Sequence, residues 1–298
     1  MKATEKTLNE QVNEIKNNGT MTANQKKAAY IKLGITSYEA DLLLSQDINI
    51  AEPFNFTFGV EIECGFIHDL FTIAAQRNSL NTRYEGYNHN DGHNYYKVVR
   101  DGSVNVNGQC DEVVSPILNG NSGFESLKVV CKTLADAQAA TNRTCGLHVH
   151  IGTKSNKGIN HRTYCNVFNN YKYLEPLIDS FMPASRRNDE NGYCGSLQRF
   201  DFSSCNTAED VASTLHHDRY FKVNPMSWQR HRTIEFRHHS GTTNYDKISN
   251  WVKFCAKLVA WSRKHRLSDY VANIDDVKFL NAEEKAFFKA RQASFATA

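Results

Sequence analysis

The sequence predicts an α+β fold in which helices pack on one face of an antiparallel sheet. Four strand-like segments alternate apolar residues with acids, histidines or arginines, and they lie at residues 58–66, 110–117, 145–153 and 233–242. Successive side chains of a strand point to opposite faces, so each segment has one apolar and one polar face. Such two-faced strands favour an antiparallel sheet covered on one side over a parallel sheet covered on both.

Helices and loops between the strands follow from apolar spacing and from polar, glycine-containing breaks. Amphipathic helices are predicted at residues 123–140, 160–181 and 247–266, and a polar helix at 282–290. Loops are predicted at residues 84–94, 119–123 and 184–195.

The first 50 residues are predicted to form short helices of their own. Thr22 with Gln25, and Thr36 with Glu39, have the spacing of capping boxes, and Gly34 between them is a predicted helix end. Two short helices with a brief connection could suggest a DNA-binding helix-turn-helix, but the sequence offers no basic recognition face. A local cap or docking arm is therefore favoured.

Composition limits the classes of function. The 298 residues carry a formal net charge of +3, too small to favour nucleic acid or an anionic membrane as a partner. No apolar run approaches the roughly 18 residues of a membrane-spanning helix, and the N-terminus lacks the apolar core of a secretory signal. The eight cysteines form no CxxC pair. We therefore expect reduced thiols and a cytoplasmic location.

The polar face of the predicted sheet carries Glu, His and Arg, residue types that bind metals and phosphates. A face that is only exposed to solvent would carry a mixture of polar residues. Glu61 and Glu63 lie roughly 7 Å apart on one strand. Their repulsion is about 2.4 kcal/mol at an effective dielectric constant near 20. Glu112 and Glu235 join them if their strands are neighbours. Such a cluster is stable in open water or around cations, and hard oxygen ligands favour Mg²⁺ or Mn²⁺.

Arginines near these acids indicate phosphate chemistry. Arg237, Arg219 and the pair Arg186 and Arg187 would supply positive charge, because a guanidinium group binds phosphate bidentately. Mg²⁺ usually binds together with substrate phosphates.

The histidines keep other functions open. His148 and His150 share one strand face, and with His238 and His239 they could serve a zinc or magnesium hydrolase. A non-catalytic binding protein, with residues 1–50 as a nucleic-acid or partner module, is the third interpretation.

Six motifs, in consistent order over residues 55–265, resemble the amidoligase family. They are FGVEIE, KVVRDGSV, DEVVSPIL, CGLHVHIG, RYFKVNP and TIEFRHHSGT, and the stretch MPASRRNDENGYC matches the family's arginine pair followed by Asn and Tyr. The family belongs to the carboxylate–amine ligases with a glutamine-synthetase-like catalytic sheet. The resemblance implies an amidoligase-like catalytic domain (51–275). With the helices predicted at both ends, the sequence also predicts a helical N-terminal segment (1–50) and a C-terminal helical tail (276–298).

The resemblance also implies an activity and roles for individual residues. The activity is ATP-dependent formation of an amide, peptide- or isopeptide-like, through an acyl phosphate with Mg²⁺ or Mn²⁺. The implied metal ligands are Glu61, Glu63, Glu112, His148 and Glu235. The implied nucleotide- or phosphate-binding residues are His150, Arg219 and Arg237. The implied catalytic residues are Arg237, Arg219, Arg187 and Asp101, and Asp101 with Ser103 would contact the acceptor amine or the carboxylate.

One position departs from the pattern of glutamine synthetases, which carry an arginine two residues before the acid of the last motif. Thr233 stands there in this chain, and Arg232 one step earlier is expected on the opposite face. The expected partners are a carboxylate substrate and an amine acceptor, a peptide or protein among the candidates. No membrane partner is expected, and the oligomeric state is open.

Overall fold

A single sheet forms the centre of the protein. The computed structural model describes residues 6–18, 20–35, 40, 56–86, 92–153 and 159–296. The strands are β1 (Phe56–Cys64), β2 (Thr82–Tyr84), β3 (Tyr96–Arg100), β4 (Asp111–Val114), β5 (Leu118–Asn119), β6 (Gly146–Thr153), β7 (Val223–Asn224) and β8 (Ile234–Ser240). They are ordered β2-β3-β4-β1-β6-β8-β7, with β5 paired to β1. Only the β2–β3 pair among these is parallel, so the predicted α+β class with a largely antiparallel sheet is confirmed.

Helices pack on the apolar face of this sheet. The helices of the described residues are α1 (Leu8–Asn17), α2 (Ala23–Lys32), α3 (His68–Arg77), α4 (Gly120–Asp136), α5 (His161–Ser180), α6 (Ala208–Thr214), α7 (Ser227–His231), α8 (Tyr245–Ser262) and α9 (Ala282–Ala296), and α7 lies instead beside the polar face, where Trp228 and His231 approach His150. Helix α8 packs on β6 and contacts both α4 and α5, while α3 packs on α4. The Asn160 and Asn244 side chains accept hydrogen bonds from backbone N–H groups in the first turns of α5 and α8, which explains where these helices begin.

Strand alternation places the core and the polar face on opposite sides of the sheet. In β1, Phe58, Val60 and Ile62 are buried in the main hydrophobic core, while Glu61 and Glu63 point to the other side. Register then fixes the neighbours, because Glu63 lies directly opposite Glu112 of β4. The sequence prediction of four two-faced strands is confirmed.

Some predicted boundaries differ from the structure. The loop predicted at 119–123 is wrong, since β5 ends at Asn119 and α4 begins at the next residue. The tail helix continues to Ala296. The capping box of Thr22 and Gln25 is confirmed, whereas the one predicted for Thr36 and Glu39 lies outside the described residues, as do residues 87–91 of the predicted loop 84–94.

The C-terminal tail packs on the main domain. Phe288 of α9 is buried in the main core, and Lys257 of α8 forms a buried ion pair with Glu284 at 2.6 Å. The boundary at residues 275/276 stays a prediction. All eight cysteines are unpaired, and within the described ranges no helix has the length and apolarity to cross a bilayer.

Candidate metal and phosphate site

The strand register gathers the predicted metal ligands on one face. Glu61 lies opposite His148, and His150 lies opposite Glu235. His148 Nδ1 is 2.8 Å from Glu61 Oε2, and His148 Nε2 is 3.4 Å from Glu63 Oε1. The acids of β1, β4 and β8 thus meet around the histidine of β6, and we call these five residues with His150 the carboxylate–histidine cluster.

Two groups within this cluster have the spacing of metal ligands. Ligand atoms of Glu61, His148 and Glu235 lie within 4.8 Å of one another, and so do those of Glu63, Glu112 and His148. Glu61 is half-buried and the other four residues are buried. Oxygen-rich groups of this kind suit Mg²⁺ or Mn²⁺.

Charge is unevenly balanced across the cluster. Burial, and then the charges of Glu61 and Glu63, raise the pKa of Glu112 well above its usual value. Burial opposes the ionisation of Glu235 as well, but Arg237 and His150 outweigh it and lower its pKa to about 2. A divalent cation between Glu63 and Glu112 would supply the positive charge missing there, so these residues fit a metal.

Arg237 holds Glu235 from the same strand. Its Nη1 donates to Glu235 Oε1 at 2.7 Å, and Asn224 Nδ2 donates to Oε2 at 2.6 Å. Arg237 Nε also donates to the carbonyl of Tyr193 at 3.4 Å. Arg237, the predicted phosphate-binding arginine, therefore lies at the cluster, where Glu235 and the carbonyl of Tyr193 hold its guanidinium group.

The arginine pair requires a correction, because Arg187 does not join the cluster. Its Nε donates to Met182 O at 2.8 Å, and its guanidinium lies 5.7 Å from the ring of Phe295 in α9. Arg186 reaches the cluster instead. It is 3% exposed, and its Nη2 donates to Cys145 O. Arg186 ends a short 3₁₀ turn, Ala184–Arg186, and Arg187 follows it, so strand alternation gives no guide to the direction of either side chain.

Gly146 is what allows Arg186 to come so close. A Cβ on Gly146 would lie 3.1 Å from Arg186 Nη2 and 3.0 Å from His148 Nε2. The Gly146 N–H donates to Glu63 Oε2. The Nε of Arg186 is buried without a hydrogen-bond partner among the described residues, and a buried guanidinium in that state is suited to an anionic ligand.

The two remaining predicted catalytic residues lie at the edge of the cluster. Arg219 is exposed, with its guanidinium 5.4 Å from the ring of Tyr220, and that ring is 5.9 Å from the guanidinium of Arg237. Asp101 accepts hydrogen bonds from the backbone N–H and hydroxyl of Ser103 at 2.7 and 2.6 Å. Its charge contributes to the raised pKa of Glu112, so it lies toward β4.

His238 and His239 do not supply further metal ligands, contrary to the hydrolase interpretation. Leu147 pairs with His239 whereas Val149 pairs with Phe236, so β8 bulges by one residue. His239 therefore faces the helices, with its ring 5.6 Å from that of Trp251. His238 Nδ1 lies 2.8 Å from the hydroxyl of Tyr171 in α5.

A cavity of about 430 Å³ opens beside Glu61 and His150, and the sequence did not predict it. Its sheet side is formed by Thr57, Gly59 and Gly152, where the polar face has small residues. In the sequence, the cavity could have been inferred from Gly59 and Gly152, which are glycines at polar-face positions of β1 and β6.

Arg232 does not lie on the opposite face of the sheet, as the sequence predicted, but in the wall of the cavity. Its backbone is left-handed (φ 56°) and precedes β8, so strand alternation does not apply to it. It lines the cavity together with Thr233 and Trp228 and does not lie on the opposite face. Thr233 Oγ1 is 2.9 Å from His150 Nδ1, and the buried Nε1 of Trp228 has no acceptor within the described part of the chain.

Comparison with known proteins agrees with the predicted resemblance. A family model described as "Putative amidoligase enzyme" matches residues 55–259. The matched segment contains all the strands, the whole carboxylate–histidine cluster, Arg186, Arg237 and the residues of the cavity. No curated protein matches the chain.

Proposed function

The chain belongs to the amidoligase family, and we propose that it is an ATP-dependent carboxylate–amine ligase that forms an amide through an acyl phosphate. The observation that carries the proposal is the arrangement on the polar face of the sheet. A carboxylate–histidine cluster lies there between a cavity on one side and two buried arginines on the other. A glutamine-synthetase-like catalytic sheet is part of the same proposal.

The cluster would hold the divalent ions. One would lie at Glu61 and Glu235 and the other at Glu63 and Glu112, with His148 as a ligand of only one of them, because a neutral imidazole has one nitrogen lone pair free for a metal. Bound Mg²⁺ or Mn²⁺ would neutralise the charge of the transferred phosphate and of the buried acids.

The cavity would hold the nucleoside. Its volume of about 430 Å³ lies within the range of small-molecule sites, about 300–1,000 Å³. Trp228 and Arg232 line its wall, and Arg232 adds positive charge there. Because Glu61 and His150 also line the cavity, a nucleotide there would be able to place its phosphates beside the cluster.

The reaction would proceed in two displacements. A carboxylate oxygen of the substrate attacks the γ-phosphorus, the bond to the ADP oxygen breaks, and an acyl phosphate forms. The amine nitrogen then attacks the acyl carbon, phosphate leaves, and the nitrogen loses a proton. Arg237 and Arg186 would bind the anionic groups, and the positioning of the reactants would supply most of the catalysis.

A hydrolase of the same metal groups is the alternative, but the structure favours it less. The extra histidines that it would use, His238 and His239, face the helices. It would also leave unexplained the cavity and the buried Arg186.

The test is thermal stability with a non-hydrolysable ATP analogue and Mg²⁺, separately and together, and with Zn²⁺ alone. Nucleotide with Mg²⁺ at about one hundred times the dissociation constant should stabilise the protein by about 2.7 kcal/mol. Glu61→Gln should lose this effect, whereas Glu125→Gln, an exposed change on α4, should keep it. Stabilisation by Zn²⁺ alone would favour the hydrolase, and no response to any of them would favour a binding protein.

A further inference from the structure

The last turns of α9 lie outside the segment that matches the family, yet they contact the turn that carries Arg186. Gln292 Nε2 donates to Ser180 Oγ at 2.7 Å, and Arg291 Nη2 donates to Phe181 O at 3.2 Å. Both acceptors belong to the end of α5, immediately before that turn. The tail helix is therefore attached to the polypeptide that leads into the site.

Phe295 makes the contact with the turn itself. Its ring lies 5.7 Å from the guanidinium of Arg187 and 5.6 Å from that of Arg291. Cations at this distance from an aromatic ring are attracted to its face. Arg187 in turn donates to Met182 O, so one side chain closes the turn and binds it to α9.

Arg186, the preceding residue, extends in the other direction toward Cys145 and Gly146. Cys145 O also accepts from the N–H of Gly241 at 2.8 Å, so this carbonyl does not depend on Arg186. The turn that carries Arg186 has no side-chain cap of its own. The contacts of Arg187 with Met182 and Phe295 thus help to set where the Arg186 guanidinium lies.

We propose that the end of α9 is a positioning element of the site. Phe295, held between Arg187 and Arg291, fixes the turn at residues 182–187 and thereby directs Arg186 toward the anionic group that it binds. The inference rests on the proposed function in taking Arg186 as an anion-binding residue. Arg187, for which the sequence suggested catalysis, is here a positioning residue, as is Phe295.

The experiment measures the affinity for inorganic phosphate at saturating Mg²⁺, from the phosphate-dependent shift of the melting temperature. Phe295→Leu should weaken phosphate binding about two- to fivefold, the equivalent of about 0.5–1 kcal/mol for the loss of its cation–π contact with Arg187. Phe295→Tyr should bind as the wild type does. Phe287→Leu, which removes another partly buried ring from α9, should also leave the affinity unchanged.

A thermodynamic cycle separates positioning from a general loss of stability. Arg187→Met should weaken phosphate binding at least as much as Phe295→Leu does, because it also removes the hydrogen bond to Met182 O, and the double variant should be no weaker than Arg187→Met alone. The melting temperature without phosphate and the shift caused by Mg²⁺ alone should stay close to wild type, because Phe288 and the Lys257–Glu284 pair still anchor α9.

Three results would overturn the inference. They are additive effects in the cycle, a Phe295→Leu protein with unchanged phosphate affinity, and a wild type whose phosphate response is absent or is unaffected by Arg186→Lys. Failure of the proposed function gives a different result, since a protein that binds no nucleotide can still show the Phe295–Arg187 coupling in phosphate binding. Conversely, if Phe295→Leu binds nucleotide with Mg²⁺ as tightly as the wild type does, the positioning role alone is rejected.

Discussion

Replacing Glu112 by Gln should have opposite effects on the protein with and without metal. Glu112 is buried opposite Glu63, and burial together with the charges of Glu61 and Glu63 raises its pKa. The carboxylate therefore opposes folding of the metal-free protein. Glu112→Gln should stabilise the metal-free protein and weaken the binding of Mg²⁺, because it removes both the repulsion and a ligand.

The separation of the acids sets the size of the effect. Ligand atoms of Glu63 and Glu112 lie within 4.8 Å of each other. Two unit charges at that separation repel by about 3.5 kcal/mol at an effective dielectric constant near 20. Because proton uptake by Glu112 would relieve part of this repulsion, we expect a gain of about 1–3 kcal/mol in the free energy of unfolding.

Urea denaturation at neutral pH, with EDTA or with Mg²⁺, measures both effects. Glu61→Gln is the matched comparison, because His148 and His150 lower the pKa of Glu61 by hydrogen bonding despite its burial. That variant should destabilise the metal-free protein and also lose the response to Mg²⁺. A Glu112→Gln protein that is less stable than wild type in EDTA, or that keeps the full Mg²⁺ response, would refute this account of the cluster.

Three further predictions concern Arg237 at the cluster and two buried side chains, Lys222 and His238, that contact α5. Arg237→Ala should reduce ATP cleavage in a steady-state assay by about 10²–10³-fold, or 2.7–4 kcal/mol, if Arg237 stabilises the transferred phosphate as other such donors do; unchanged cleavage would remove that assignment. Lys222→Met should lower the free energy of unfolding in urea by about 3–5 kcal/mol, because buried Glu175 and Asp179, at 2.9 and 2.7 Å from its ammonium group, lose their partner. Burial, and then the charge of Lys222, lower the pKa of His238 to about 4. The stability that the neutral His238 contributes is therefore complete above pH 6.5 and should fall by about 3 kcal/mol between pH 6.5 and 4. Over the same range the free energy of unfolding of His238→Gln should fall by that much less than the free energy of unfolding of the wild type.

Local periodicity accounts for the part of the site that the sequence predicted. Glu61 and Glu63 share a face because a strand repeats every two residues, and the same rule places His148 beside them once β1 and β6 pair. Five predicted metal ligands came together because each lies inside a regular strand.

The mispredicted residues lie where that periodicity stops. The resemblance indicated Arg187, whereas Arg186 reaches the cluster. Side-chain direction at a 3₁₀ turn depends on tertiary contacts, which the sequence pattern does not show. Arg232 precedes its strand in a left-handed conformation, and the bulge in β8 turns His239 toward the helices. The cavity is formed by residues that are distant in sequence, so no single motif indicates that it exists.

The cluster is asymmetric, and this asymmetry bears on how metal would bind. On the β8 side, Arg237 and His150 already balance Glu235 and lower its pKa to about 2. On the β4 side, burial and then the charges of Glu61 and Glu63 raise the pKa of Glu112. A cation gains most where the protein supplies the least positive charge, since relief of repulsion then adds to coordination. The group formed by Glu63, Glu112 and His148 therefore gains more from a divalent ion. At Glu61 and Glu235 the charges of the acids are already balanced without an ion. This second group lies beside the cavity, where the phosphates of a nucleotide would complete the coordination of an ion.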